Sequence, residues 1–533
     1  MRNNRLTALA LAILLSACSQ KTLTPPLPPV AVELPQSWQE LSIHEALQPD
    51  GKAVQELGWR DFYRDPRLQK LIAEALAHNH DLRSYVLDTQ IAELNYGITY
   101  QNREPTVNGS AGVGRQDNTK GSRPGQNSFT ANLSGNFDLD LWGAKTAASD
   151  QALNQFLATR EGQDSAKLGL IRSVAGAYYQ SRIIAAQIAL SQKILQLQQE
   201  KYRLAALQSS AGVITNIDLR QFEEAVEQAK IGVLEGEGNQ QKALNALALL
   251  VGRPLAALDL PAASVDRQAF SKLHVPSVPS EALLQRPDIR VAELQLGAAN
   301  ANIGVARANL YPNISLGAGL NLASSKLSEF FSNGLGWSVN SNISALIFNR
   351  DKLHKAVKIS ELQQEKALES YKKTVKAAFY EVADLLNERE TLQEKYRTQL
   401  KVGKAVAERL RLENLRFQAG VTSATDLLNA QSAANSSDLS LLNIELQMLN
   451  NQVNLYNALG GGLVEGNSAP SLEAPAQLLP AATSANDEAL GIEAAPAPRA
   501  RPAGGRKAGG KSSAPAGGKK TSSKKASSKK SSQ

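Results

Sequence analysis

The sequence predicts a mainly helical chain with a small amount of membrane-type β-structure, built as two copies of one unit. Three observations predict it. Asp81, Gly97 and Pro105 recur as Asp288, Gly304 and Pro312 at an offset of 207 residues, and Ala211-Gly212-Val213 and Gly252 return as Ala419-Gly420-Val421 and Gly460 at 208. Each copy carries stretches of strict apolar/polar alternation, the signature of strands. Each also carries a proline-free run of about 65 residues with apolar positions three and four apart, far beyond the three or four turns of an ordinary globular helix. A period of ~20–50 residues would mean a solenoid, whereas this one means duplication of a domain-sized unit.

The elements follow in chain order. Arg2 and Arg5 precede an apolar run from Leu6 to Leu15, too short to span a bilayer, which takes ~20 residues, so residues 1–17 read as a secretory signal. It ends in Leu15-Ser16-Ala17-Cys18, which resembles the lipobox of bacterial lipoproteins. Cys18 is the single cysteine, so it is the expected lipidation site, a stray thiol being the alternative. Ser19 rather than Asp follows it, which by the same resemblance favours the outer membrane. Residues 18–58 read as anchor and tether, proline-rich and extended between Thr24 and Pro35.

The first repeat occupies 59–252, a linker 253–279, and the second repeat 280–460. From Phe129 to Leu141 the odd positions are Phe, Ala, Leu, Gly, Phe, Leu and Leu, and the even ones Thr, Asn, Ser, Asn, Asp and Asp. The second repeat alternates in the same way over 313–322 and 337–347, and Pro105 to Arg115 is a weaker fourth case. A soluble sandwich would show the same period. Length favours a membrane, because each stretch reaches the ~9–11 residues of a transmembrane strand and the polar faces suit a wet lumen. Trp142 and Trp337 stand at strand ends, where aromatic girdles belong.

Four strands cannot close a membrane barrel, so the barrel must be shared between chains. Two chains give eight strands, whose interior side chains fill; three give twelve, and geometry prefers three for a conduit. The long helices are expected over Gly143 to Gln208 and Asp351 to Gln418, roughly 100 Å each, packed as coiled coil. Shorter helices are expected over Pro66–Asn102, Asp218–Val251, Ser280–Leu310 and Asp426–Leu459, with the Gly212 and Gly420 turns at the end remote from the strands.

Residues 461–533 are Ala, Pro, Gly, Ser and Lys with few large apolar side chains, a composition that cannot offset its ordering entropy. The formal charge of +8 comes from this tail: Arg499 to Gln533 holds eleven Lys or Arg and no Asp or Glu, leaving −3 on the rest. The body therefore gives no electrostatic case for nucleic acid. The tail reads either as a polycation touching cell-wall polymer (peptidoglycan) or lipid headgroups, or as a solvated extension.

Together, Asp61-Phe62-Tyr63-Arg64-Asp65-Pro66-Arg67-Leu68, Phe137-Asp138-Leu139-Asp140-Leu141-Trp142-Gly143, Arg286-Pro287-Asp288-Ile289-Arg290, Ala306-Arg307-Ala308-Asn309-Leu310-Tyr311-Pro312 and Ala419-Gly420-Val421 resemble the TolC-type outer-membrane factors, in their OprM/NodT-like lipoprotein branch. The resemblance runs from about Trp59 to Gly460 and excludes the lysine-rich tail. It implies a homotrimer whose twelve strands form an open barrel in outer-membrane lipid, continuous with a helical periplasmic tunnel. The partners it implies are a periplasmic adaptor and an energised inner-membrane pump. Gly212, Val213, Gly420 and Val421 are then the adaptor-contact candidates. The family's acidic constriction pattern Asp-Val-Leu-Asp reads Asp426-Leu427-Leu428-Asn429 here, so Asp426 and Asn429 are the gate candidates, with one carboxylate replaced by an amide. Without the resemblance, Asp426 and its twin Asp218 read as helix N-terminal carboxylates.

Five histidines, of which only His78 and His80 lie close, form no metal pattern, and no Walker, GxSxG or HExxH sequence occurs. No cofactor and no catalysis are expected. The function expected is a passive exit duct for drugs or other small molecules. The alternatives are a type I protein-secretion or metal-efflux duct, or a structural lipoprotein tying outer membrane to cell wall.

Overall fold

A computed structural model describes residues 23–28, 30, 32–35, 52–54, 57–116, 126–254, 270, 273–274, 283, 286–332 and 334–463. The chain divides into Met1–Ala469 and Pro470–Gln533; the second unit, the signal segment and Cys18 lie outside the described residues.

The principal elements are α1 (Pro66–His78), α2 (His80–Gln101), β1 (Thr106–Gln116), β2 (Gln126–Leu139), α3 (Ala144–Ser210), α4 (Asn216–Val251), α5 (Pro287–Ala308), β3 (Asn313–Ser324), β4 (Gly336–Ser344), α6 (Arg350–Gln418) and α7 (Ala424–Ala458). The sheet has the order β1-β2-β3-β4, antiparallel throughout. The helices attached to its strands pack in the same sequence, α2 on α3, α3 on α5, α5 on α6, while α4 lies on α3 and α7 on both α6 and α3. At 67 and 69 residues, α3 and α6 are each about 100 Å long.

Register explains why the sheet is two-faced. Val107 opposes Gly135, Ala131 opposes Leu322, Leu133 opposes Leu320, Ala318 opposes Val339 and Leu320 opposes Trp337. The alternate rungs pair Ser110 with Asn132, Asn132 with Asn321 and Ser315 with Asn342. The apolar face is open: Val113, Trp337 and Val339 are 80, 76 and 74 % exposed. An uncovered apolar sheet of this extent suits hydrocarbon as solvent. β4 ends at Ser344, so Ala345 and Ile347, expected in the strand, lie just beyond it.

Strands hand over to helices through left-handed residues, Gly143 (φ 72°) before α3 and Asn349 (φ 60°) before α6. Asp140 receives the amides of Lys145 and Thr146 at 3.0 and 2.9 Å, occupying donors that the helix start leaves free. Trp142 stacks on Tyr311 at 4.6 Å and donates from Nε1 to the Pro312 carbonyl at 2.8 Å. It marks the helix end of the sheet, and Trp337 the opposite end.

The helix expected over Pro66–Asn102 is two helices. Asn79 leaves helical space (φ −66°, ψ 128°), its Oδ1 accepts from the Leu82 amide at 2.8 Å, and its Nδ2 donates to the Leu250 carbonyl at 2.9 Å. One side chain thereby starts α2 and finishes α4, and His78 and His80 flank a break instead of sharing a helix.

The main core lies partway along the long helices, where Trp59, Phe62, Tyr63, Tyr178, Phe379 and Tyr456 are buried together. Phe62 stacks on Tyr456 at 3.9 Å, and the Tyr456 hydroxyl donates to the Leu57 carbonyl at 2.5 Å. Asp65 accepts from Tyr178 Oη at 2.5 Å and pairs with Arg182 at 2.9 Å. Arg286 pairs with Asp288 and Glu381, both at 2.8 Å, and donates to the Ala458 carbonyl at 2.6 Å. The described part of the tether is no free linker. Pro25 O accepts from Asn300 Nδ2 at 2.8 Å, Thr24 lies where a side chain at Gly304 would stand, and Val32 and Leu34 pack on the core.

Candidate functional site

The two helical hairpins end in tips built by the same local chemistry. Gly212 (φ 72°) and Gly420 (φ 70°) take the left-handed conformation that ends α3 and α6, and the next amides, Val213 and Val421, bond back to Gln208 O and Arg416 O, both at 2.9 Å. A capping box then opens each return helix. Asp218 N donates to Thr215 Oγ1 at 3.2 Å while Thr215 N donates to Asp218 Oδ2 at 3.0 Å; Asp426 N donates to Ser423 Oγ at 3.1 Å while Ser423 N lies 3.4 Å from Asp426 Oδ2.

Asp426 also accepts from Ser423 Oγ at 2.7 Å and Thr422 Oγ1 at 3.2 Å. The Ser423 hydroxyl first, then its backbone amide and the Thr422 hydroxyl, hold this carboxyl below the usual aspartate range. It is therefore a fixed negative charge at the start of α7. Asn429, one turn on, is exposed beside it, whereas Leu427 and Ala430 turn inward. The structure thus places both gate candidates on one exposed flank, and gives Asp426 the capping role as well.

A small apolar cluster ties the tips together: Ala205, Phe222 and Ala424, flanked by Tyr202, Leu219, Phe417 and Leu428, with Phe222 edge-on to Phe417 at 5.9 Å. Thr425 donates to Gln221 across the same junction at 3.2 Å. The adaptor-contact candidates lie at the extreme ends. Val213 and Val421 are 70 and 67 % exposed, and around Gly212 and Gly420 the space is open. Ile217, 72 % exposed, belongs with them. Sequence reasoning missed it, although an isoleucine inside the first turn of a capped helix tip has no core to face. Its counterpart, Thr425, bonds inward instead.

Further along the hairpins, Lys201 donates to Gln431 Oε1 at 2.9 Å, and burial pulls its ammonium pKa down. Among the described residues, no group of three or more His, Cys, Asp or Glu could hold a metal ion, and no helix is long and apolar enough to cross a membrane.

A two-faced antiparallel sheet whose every strand joins a helix, two of the four roughly 100 Å long, defines a membrane-duct subunit. The family model described as "Outer membrane efflux protein" matches residues 71–253 and 278–461, and the chain belongs to that family. It is 33 % identical over 491 residues, 89 % of this chain and the whole of its relative, to the toluene efflux pump outer membrane protein TtgC of Pseudomonas putida. It is 32 % identical over 461 residues, 86 % of this chain and 99 % of the other, to the cation efflux system protein CusC of Escherichia coli. The crystal structure of the open state of the Neisseria gonorrhoeae MtrE outer membrane channel superimposes with a TM-score of 0.74 at 33 % identity, covering 84 % of this chain and 100 % of that one. The protein is an efflux channel of the outer membrane.

Proposed function

We propose that three copies of the chain close into one duct, a twelve-stranded barrel above a helical tunnel, which carries drugs or other small molecules passively from an inner-membrane pump reached through a periplasmic adaptor. The observation that carries this reading is the pair of open edges. β1 and β4 each lack a neighbour on one side among the described residues, and α2, the helix leading into β1, packs chiefly on α3. An unpaired strand edge in hydrocarbon leaves backbone groups without partners, and an edge of one copy joined to the opposite edge of the next satisfies them. α2 presents Leu87, Ile91, Leu94 and Ile98, at spacings of four, three and four, 43 to 68 % exposed on the single chain. That stripe is the seam for α6 of the next copy.

Cys18 supplies the lipid anchor, and Gly212, Val213, Gly420, Val421 and Ile217 meet the adaptor. Asp426 and Asn429 line the constriction, where three carboxylates gathered at a narrow mouth attract cations and repel one another. No chemistry on the cargo is required of the duct. The named relatives serve toluene and cation efflux, so the cargo of this chain follows from its pump. The test is oligomer mass of the detergent-purified protein alongside single-channel current in planar bilayers. A trimer with small, cation-selective currents supports the duct; a non-conducting monomer overturns it.

A further inference from the structure

The two connections that join the strands pairwise differ in composition. Residues 117–125, between β1 and β2, read Asp-Asn-Thr-Lys-Gly-Ser-Arg-Pro-Gly, without one large apolar side chain. Residues 325–335, between β3 and β4, read Ser-Lys-Leu-Ser-Glu-Phe-Phe-Ser-Asn-Gly-Leu. A loop in water gains no stability from exposed leucine and phenylalanine, yet Leu327, Phe331 and Leu335 are 66, 84 and 59 % exposed. Single apolar side chains on a surface need no explanation. These adjoin Trp337 and Val339, however, so the loop prolongs the open apolar face of the sheet.

The loop leans towards that face. Along β3, Leu320, Leu322 and Ser324 alternate onto the apolar side. Ser324 is buried there, and its hydroxyl donates to the Lys326 carbonyl at 2.9 Å and accepts from the Lys326 amide at 3.2 Å. The chain leaving β3 is thereby held on the outward side, away from the polar face that carries Asn321 and Ser338. At the return, Leu335 continues the alternation of Trp337 and Val339. Between these ends the backbone bonds within itself: after a single turn at Leu327–Glu329, Phe330 N donates to Leu327 O at 3.3 Å and Ser332 N to Glu329 O at 3.2 Å. The charges are matched as well, Lys326 pairing with Glu329 at 2.8 Å. Phe331 stands out from this turn, edge-on to the half-buried Phe330 at 5.1 Å. Such a segment suits the boundary of hydrocarbon, where unpaired backbone is costly and a lysine stem can lie among acyl chains with its head in the headgroup layer.

We propose that residues 325–335 form an apolar foot that seats the outer end of each subunit in the lipid of the outer leaflet, with Phe331 inserted among the acyl chains. The inference rests on the reading of the sheet as part of a membrane barrel. β3 has twelve residues, and a strand of that length tilted by ~40° rises about 30 Å, enough to cross an apolar band ~25 Å tall. Side chains just beyond its end therefore meet the boundary between acyl chains and headgroups, where amphipathic segments bind by burying their apolar side. The polar composition of residues 117–125 gives the other connection no such hold.

The test is nitroxide accessibility of the full-length Phe331→Cys protein in proteoliposomes, with the parent, whose single cysteine is Cys18, labelled alike as background. The two relaxing agents are oxygen, which concentrates in hydrocarbon, and a water-soluble nickel chelate. Val339→Cys reports the apolar face and Ser338→Cys the polar one. The oxygen-to-nickel ratio at 331 should match that at 339 and exceed that at 338 on the order of tenfold, because the polar chelate is excluded from hydrocarbon. Leu335→Cys supplies a second site on the foot and should give the same result, and single-channel current shows that each labelled protein has assembled. A ratio at 331 and 335 like that at 338 puts the loop over the wet mouth and overturns the foot while the barrel stands. Protection from both agents puts it against protein and overturns the foot as well. Nickel access at 339 equal to that at 338 overturns the barrel reading and the foot together.

Discussion

The two repeats share ancestry and diverge according to where each stands in the wall. In the first, the residue ahead of α2 is Asn79, which reaches the end of α4 through a neutral hydrogen bond to Leu250 O. In the second, Arg286 precedes α5 and reaches the end of α7 through Ala458 O, bringing Asp288 and Glu381 with it. One task, tying the start of an inner helix to the end of its returning partner, is met once by an amide and once by an ion network around a buried arginine. The inner helices differ too. Gly97 of α2 has open space around it, while Gly304 of α5 is crowded by Thr24 and Ala147. α2 stands at an open edge, whereas α5 is flanked by α3 and α6 and overlaid by the tether. Position, more than inheritance, sets which faces had to become small or apolar.

The sharpest way to break the comparison is at the edge. Ile91→Asp with Leu94→Asp places two carboxylates on the α2 stripe, where each apolar side chain buried on assembly is worth about 1.5–3 kcal/mol. We expect loss of the trimer by light scattering in detergent, with helix content by circular dichroism retained.

Next in size is the capping pair. Arg286→Met removes the bond to Ala458 O and the cation that Asp288 and Glu381 share, and since both carboxylates are partly exposed it should cost about 2–3 kcal/mol. Asn79→Ala removes a cap and one tertiary bond and should cost about 1–2 kcal/mol. Thermal unfolding of the two variants that ranked them in the reverse order would undo the distinction drawn between the repeats.

A smaller contrast sits at the helix ends. Gly252 (φ 77°) and Gly460 (φ 78°) are both left-handed, so alanine at either costs about 1 kcal/mol. At Gly252 the new methyl also meets the His78 backbone, whereas at Gly460 it makes only an ordinary contact with Arg286. Gly252→Ala should therefore lower the melting temperature further than Gly460→Ala.

The mildest test separates capping from gating. Asp218→Asn and Asp426→Asn should each leave the melting temperature nearly unchanged, since asparagine also accepts capping bonds. Only Asp426→Asn should raise basal conductance in bilayers. The Asp426 carboxyl is held low by its hydrogen bonds. What it contributes is thus complete above the ordinary aspartate range and is lost only as pH falls through its depressed value. Conductance that changed with pH near neutrality would point to another group.

Much of this was legible because the periods are long and clean. The alternation of Phe129–Leu141 marked one strand with its apolar and polar faces, and Gly212 and Gly420, with Asp218 and Asp426 as helix N-terminal carboxylates, marked the tips; the Thr215 and Ser423 halves of the capping boxes were not read. The break at Asn79 was missed because apolar spacing continues through it, although Asn followed closely by Asp is itself a helix-start signal. The Arg286 network was not legible, since Glu381 lies 95 residues away and only packing brings it near. Nor was the seat of the tether: proline shows that a segment is extended, and says nothing of what it lies upon.

The strand order β1-β2-β3-β4 also carries a kinetic consequence. A single unduplicated unit would contribute one hairpin, and six separate molecules would have to meet to close the same ring. Fusion of two units makes alternate seams covalent. Those joints form at the high effective concentration of a linked pair, and in the proposed trimer only three seams between molecules remain. The linker between the repeats thus halves the number of intermolecular seams that such a ring would have to close.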